Sequence, residues 1–343
     1  MKHYRGILTS WACALLAVAC TSTDVELPPA GDTPLQQAAG KGDLPAVQQL
    51  LAAGADVNEG QENKNNQSAL WLALNYGQGD TEIINALLKA GAAVNEAEVR
   101  AAASSCYPQY LRAVLDAGGK IPKYSKNLGS IYSELSQFAG KANKDGRDSV
   151  ACARLLEEHG ASLFEYKGLT GPLHSAVIGD NIPLARYLIS RGLSVHDRNE
   201  EGNTPLNYGV QSAEMVELLV KAGADVNAQN TAGDTPLMED CFVTLPAVKA
   251  LLKAGADPNI RNKKGENALL HHLLCPQPTG GAFFDNDGNL IGTWSGYKHN
   301  TEILSALLEA GADLNCTDLE GNTARDILKQ DPELTKLLPH TND

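Results

Sequence analysis

Apolar and polar positions in this chain recur with a long period, and residues 202–262 carry the same pattern twice. GNTPLNYGVQSAEMVELLVKAGADVNAQN (202–230) is followed by GDTPLMEDCFVTLPAVKALLKAGADPNIRN (233–262). A period of this size predicts stacked supersecondary units and not one globular core. Each copy opens on a hydroxyl, Thr204 or Thr235, suited to cap a helix N-terminus. Pro205 or Pro236 then fits the first turn, where no amide donor is needed. Leu206 and Leu237 begin the buried face of that short helix. A second helix follows, apolar at Val216, Leu218 and Leu219 in one copy and at Val248, Leu251 and Leu252 in the other. Gly223 and Gly255 end it, because this C-terminal cap needs a left-handed residue. Asp225 and Asn227, like Asp257 and Asn259, begin a polar turn into the next copy.

The same plan extends along the chain. Residues 32–58 form a full unit, and 68–95 repeat it after the polar insertion EGQENKNNQ, with Ser68-Ala69 in place of Thr-Pro. Residues 96–121 keep the helix pair without Thr-Pro, Pro108 opening the second helix, and 122–163 are the most degenerate stretch. Regularity returns at 171–195, the only unit whose histidine, His174, stands two residues after its proline. GENALLHHLL (265–274) opens a further unit whose second helix is delayed to NTEILSALLEAGADLN (300–315). GNTARDILKQDPELTKLL (321–338) then serves as a terminal cap, where a more polar outer face is required. The expectation is nine units.

The pattern Thr-Pro-Leu-His-x-Ala, followed by Leu-Leu-x-x-Gly-Ala-Asp-x-Asn, resembles the ankyrin repeat. The resemblance implies an all-α ankyrin repeat solenoid of about nine helix–turn–helix units with one hairpin-like insertion, spanning 32–343. It also implies a structural histidine at His174, supporting the turn above it. Ankyrin stacks bind proteins through their turn tips and the exposed side of their first helices. Here that surface would include Glu200, Glu201, Tyr208, Gln211, Glu239, Lys263 and Lys264.

Residues 1–20 differ in kind: a short basic start, an apolar run from Ile7 to Ala19, then Cys20 after small residues. The run is too short to span a bilayer comfortably and reads as a secretory signal over 1–19. Leu16-Ala17-Val18-Ala19-Cys20 is similar to the lipobox of bacterial lipoproteins, which implies cleavage before Cys20 and its lipidation. The alternative is an ordinary signal peptide with an unmodified Cys20. Thr21 in place of an aspartate implies, by the same resemblance, sorting to the outer membrane, facing the periplasm. Residues 20–31, polar with a Pro-Pro pair, are a tether.

The insertion at 275–299 concentrates Phe283, Phe284, Trp294 and Tyr297 in a protein only 5% aromatic. FFDNDGNLIGTW has strand-forming ends around an Asn-Asp-Gly-Asn turn, a β-hairpin signature. Its aromatics either bind a partner or fold back over the stack's own apolar edge. Asp285, Asp287 and Asn289 do not make a calcium loop, since Gly288 stands fourth and not sixth and no Glu follows at the twelfth place. Cys241 and Cys275 lie near the ends of first helices in adjacent units, within conceivable reach of a disulfide. With Cys106, Cys152 and Cys316 the count is odd, so at least one thiol stays free. A zinc site drawn from His271, His272, Cys241 and Cys275 is disfavoured, because neighbouring His271 and His272 point to different helix faces.

Net charge is −13, and removal of residues 1–19 takes away Lys2 and Arg5 and no acid, leaving −15. Nucleic acid is therefore disfavoured as a partner, since phosphate binding needs a basic face. A basic protein partner fits better, although acidity also serves solubility alone. No nucleophile elbow, phosphate loop or zinc-protease motif is present, and no cofactor is expected. The expected function is that of a lipid-anchored periplasmic protein-binding module and not an enzyme. In architecture it resembles immunity lipoproteins that hold an exported toxin, such as a type VI secretion phospholipase, inactive. The alternatives are a stress-related periplasmic helper, or an enzyme or ligand receptor built around the 275–299 insertion.

Overall fold

The computed structural model describes residues 33–59, 67–76, 80–123, 130–137, 147–164, 166, 170–238, 243–274, 277–278, 282–284, 290–293, 297–298 and 300–338. Cys20, Glu239, Cys241, Cys275 and Trp294 lie outside them, as do the side chains of Phe283, Phe284 and Tyr297. The described residues form nine successive helix pairs, from Pro34–Lys41 with Leu44–Ala52 to Ala324–Gln330 with the 3-10 turn Leu334–Leu337. They divide into two compact parts. One is Met1–Lys167 with Pro183–Leu188; the other is Gly168–Ile182 with Ile189–Asp343.

In the first part, local rules set the helix ends. Thr33 and Gln36 form a reciprocal capping box, Gln36 Oε1 accepting from Thr33 N at 2.7 Å and Thr33 Oγ1 from Gln36 N at 3.3 Å. This satisfies donors that a helix start otherwise leaves bare. Pro108 opens the helix Pro108–Asp116, as its lack of an amide donor predicts. Ile83, Ile84, Leu87, Val99, Leu111 and Val114 are fully buried between neighbouring pairs. The buried carboxylate of Glu98 accepts from Ser68 Oγ at 2.6 Å and from Asn95 N at 3.1 Å, tying two repeats together. Arg100 bridges Glu96 at 3.1 Å and Glu134 at 3.0 Å. Burial pushes the Glu134 carboxyl up, and the bond and charge of Arg100 only partly oppose it.

In the second part the same plan is more regular. Met215, Val216 and Leu219 of the helix Ala213–Lys221 and Ala247, Val248 and Leu251 of Leu245–Lys253 are buried. Gly223 and Gly255 close these helices at φ of 94° and 93°, the left-handed conformation that the sequence pattern requires. Thr204 caps as expected, Asn207 Oδ1 accepting from both its amide and its hydroxyl, at 2.8 and 2.9 Å. Thr235 departs from the expectation. Its Oγ1 is buried and finds no hydrogen-bond partner among the described residues. The position of Asn207 is occupied there by Met238, which has no amide oxygen to offer, and the first helix is described only as the 3-10 turn Pro236–Met238.

The late second helix is present: Ala268–Leu274 is completed by Thr301–Glu309. Between them the backbone pairs as antiparallel ribbons. Ala282–Phe284 runs against Leu290–Thr293, with a register shift between Phe283 and Phe284, and Gln277–Pro278 against Tyr297–Lys298. The strand pairing expected on either side of the turn is thus present in the main chain, and the turn itself, 285–289, lies outside the described residues.

Candidate binding surface

Stacked turns build the most ordered exposed feature, and it belongs to the second part. Each turn is organised by one side chain. Asn199 Oδ1 accepts from Glu201 N and Asn203 N at 3.0 and 2.9 Å, and Asn230 Oδ1 from Ala232 N and Asp234 N at 2.8 and 2.9 Å. Asn262 Oδ1 takes Lys264 N and Glu266 N at 2.9 and 3.0 Å, and Asp318 repeats the motif with Glu320 N and Asn322 N. These are turns in which a short side chain replaces a missing backbone acceptor. Successive tips are joined through the main chain: Thr231 N donates to Glu201 O, Lys263 N to Ala232 O and Leu319 N to Lys264 O, each at 2.9 Å. Arg198 Nη1 donates to Gly202 O and Gln229 O, and Arg261 to Gly265 O and Thr317 O, filling the gaps between tips.

Beneath the tips runs a buried polar ladder. Asn230 Nδ2 donates to Asn203 Oδ1 at 2.9 Å, and Asn262 Nδ2 to Asp234 Oδ1 and Glu266 Oε2, both at 2.8 Å. His271 Nδ1 lies 2.8 Å from Glu266 Oε2. Burial pushes the Glu266 carboxyl up, but the bonds from His271 and Asn262 and the charges of His271 and Lys264 bring it net below the usual range. His272 faces elsewhere, its Nε2 2.8 Å from Leu237 O. The two neighbouring histidines therefore serve different faces of one helix, while Cys241 and Cys275, the other residues of the zinc reading, lie outside the described residues. His174 Nε2 lies 3.1 Å from Asn203 O, which makes it a support of the adjoining turn. Burial lowers its pKa, against the opposing effects of that bond and of Asp197.

Of the sequence-derived contact residues, Glu200, Glu201, Lys263 and Lys264 are exposed on the tips. Tyr208 and Gln211 are half-buried on and just after the first helix Pro205–Tyr208. Tyr208 is tied back to the tip: its hydroxyl accepts from Asn199 and Asn203 at 3.0 Å and donates to Glu201 Oε2 at 3.4 Å. Gln211 reaches the preceding repeat, Nε2 donating to Ile178 O at 3.2 Å. Leu319 is a tip residue that the pattern did not single out, and it is 80% exposed. The signal was available: an apolar residue at a turn position held elsewhere by Glu200, Thr231 and Lys263. Cys106, Cys152 and Cys316 are buried free thiols. Burial pushes Cys106 up to about 12 and Cys152 further, so neither is a nucleophile at neutral pH.

Helix pairs joined by protruding turns, with polar side chains on the tips, define a repeat-built scaffold. Known proteins identify which one. The family described as Ankyrin repeats (3 copies) matches residues 9–98 and 141–230, and the single Ankyrin repeat matches 232–263. The chain belongs to the ankyrin repeat family. It is 35% identical over 66 residues to human protein phosphatase 1 regulatory subunit 27, covering 19% of this chain and 43% of that one. It is 30% identical over 220 residues to human B-cell lymphoma 3 protein, covering 61% of this chain and 47% of that protein. The chain thus spans less than half the length of these relatives. The solved ankyrin repeat domain of human ASB11 superposes with a TM-score of 0.54 at 25% identity, covering 66% of this chain and all of that one. Membership of this family implies a protein–protein interaction module.

Proposed function

We propose that this protein is a lipid-tethered binder of an exported protein partner, held at the periplasmic face of a Gram-negative outer membrane and acting as an immunity protein against a secreted toxin. It has no catalytic role in this reading. The observation that carries the binding role is the stacked tip ridge of the second part, where Glu201, Lys263 and Lys264 are exposed on turns fixed by side-chain caps and tip-to-tip bonds. Such preorganisation lowers the ordering cost of association. The tether and the location are supported by the sequence around Cys20 alone, and the toxin partner by architecture alone.

Two measurements test the reading. Mass spectrometry of the mature N-terminus should find an acylated Cys20, and Cys20→Ser should leave unprocessed or mislocalised protein. A free N-terminus elsewhere, with the protein soluble in the periplasm, removes the tether. The second is capture of a single exported protein by the purified chain, together with protection of toxin-expressing cells by the wild type. Replacement of residues 277–298 by a short Gly-Ser link separates the two fates of the insertion. Loss of capture at an unchanged thermal midpoint makes it a contact element. An early midpoint with capture intact makes it a cover for the stack.

A further inference from the structure

The tips of the second part carry an ordered charge sequence. Following the main-chain ladder, the exposed pair Glu200-Glu201 is succeeded by the neutral pair Thr231-Ala232, then by Lys263-Lys264, then by the exposed pair Leu319-Glu320. The bonds Thr231 N to Glu201 O, Lys263 N to Ala232 O and Leu319 N to Lys264 O fix that order without gaps. The pairs are held in place rather than hung on loose loops. Glu201 Oε2 accepts from Asn203 at 3.1 Å and from Tyr208, and the backbone of Lys264 is anchored on Asn262.

From this arrangement we infer that the ridge recognises a bipolar segment of the partner: basic opposite Glu200-Glu201, acidic opposite Lys263-Lys264, and apolar beyond it against Leu319, beside which Glu320 is exposed. The inference rests on the protein-binding reading above and names its partner chemistry. Helix layers in contact lie about 8–10 Å apart, so the two charged pairs, two ladder steps removed, are separated by roughly 16–20 Å. An extended chain covers that span in about five or six residues at about 3.3 Å each. The recognised segment is therefore short: a basic pair, about three or four neutral residues, an acidic pair, and an apolar residue about three positions later. Leu319, 80% exposed, supplies the apolar end. A uniformly basic partner, which the net charge of −13 suggests, meets Lys263 and Lys264 with like charge.

The test uses three labelled synthetic peptides on the full mature chain, read by fluorescence anisotropy at low salt. One carries Lys-Lys, a four-residue neutral spacer, Glu-Glu and a distal Leu. The other two replace all charges by Lys or all by Glu. The bipolar peptide should bind at least about fivefold more tightly than either uniform one, the size of effect expected when a like-charge contact is removed. Lys263→Glu/Lys264→Glu should switch the preference to the all-Lys peptide, and Glu200→Lys/Glu201→Lys to the all-Glu peptide. Leu319→Ala should weaken the bipolar peptide without altering the ranking. Equal affinities for the three peptides, an unaltered ranking in both charge variants, or no binding of any peptide overturns the inference. If the charge variants also capture the full-length partner as the wild type does, the ridge is excluded while the protein-binding reading stands. A wild-type chain that captures nothing defeats that reading itself.

Discussion

Asn262→Ala is the sharpest probe of the turn architecture, because one buried amide organises both a tip and the ladder beneath it. Its side chain is only 7% exposed. It accepts from Lys264 N and Glu266 N and donates to Asp234 and Glu266, four bonds between 2.8 and 3.0 Å. A neutral hydrogen bond contributes about 0.5–1.5 kcal/mol net and one to a charged group about 1.5–3, while buried partners left unmade add a desolvation cost. These bonds share one residue and are not additive, so the expected loss is about 3–4 kcal/mol and not their sum. Urea unfolding followed by far-ultraviolet circular dichroism reads it, since stability in a repeat array sums local terms. Asn262→Asp tests the donor half separately. It keeps the acceptor for the two amides but sets a third carboxylate against Asp234 and Glu266, so it should be destabilising at neutral pH and recover on mild acidification. Asp318 fills the same role natively, with Asn322 in the place of Glu266, Asn322 Nδ2 donating to Asp318 Oδ2 at 2.7 Å. A loss below about 1 kcal/mol for Asn262→Ala would refute the view that this ladder holds the turns.

Gly233→Ala should destabilise by about 1–2 kcal/mol in the same assay, because φ there is +85° and a Cβ would meet Lys263 N at 2.9 Å. Gly223→Ala, at φ +94° with nothing within 4 Å, should cost about 1 kcal/mol from conformation alone. Because burial holds His174 below its ordinary value of 6.5, the fold favours the neutral ring. Stability should be full above that pH and decline as pH falls through it toward the folded value, and urea midpoints for His174→Gln should show a flatter decline. Cys106 and Cys152 should resist iodoacetamide in the native protein at mildly alkaline pH and react once unfolded, as measured by intact mass.

Much of this was legible in the sequence because each local device has its own residue type. Pro108, Gly223 and Gly255 are read directly as a helix start and two stops, and each does that work. The resemblance to the ankyrin repeat implies a supporting role for His174, and its bond to Asn203 O agrees. What stayed hidden was cross-repeat pairing. The Asn259-to-Gly311 bond spans 52 residues where its counterpart Asn227-to-Gly255 spans 28, because the 275–299 insertion separates the two halves of a repeat. Thr235 departs for a related reason: the hydroxyl matches the pattern, but the amide three residues on, Met238 N, donates to Thr235 O at 2.8 Å and not to the hydroxyl. The order of charges along the tips was invisible to a net-charge argument, which sums Glu200-Glu201 with Lys263-Lys264 to nothing.

That local order matters because of screening. At physiological salt the Debye length is about 8 Å, whereas the two charged pairs stand roughly 16–20 Å apart on the helix-layer spacing. Each pair therefore presents its own sign to a partner within contact range, and neither is averaged away by the other or by the excess of acidic residues elsewhere. The excess acts at long range and at low salt, where it speeds the approach of a basic protein. Contact then selects among such proteins, and the lysine pair rejects those that continue basic across the ridge. Raising the salt should accordingly slow association while leaving the preference for the bipolar segment largely in place, because steering lies in the on-rate and the close pairs are read after encounter. A preference that vanished together with the on-rate would mean that the ridge attracts without discriminating.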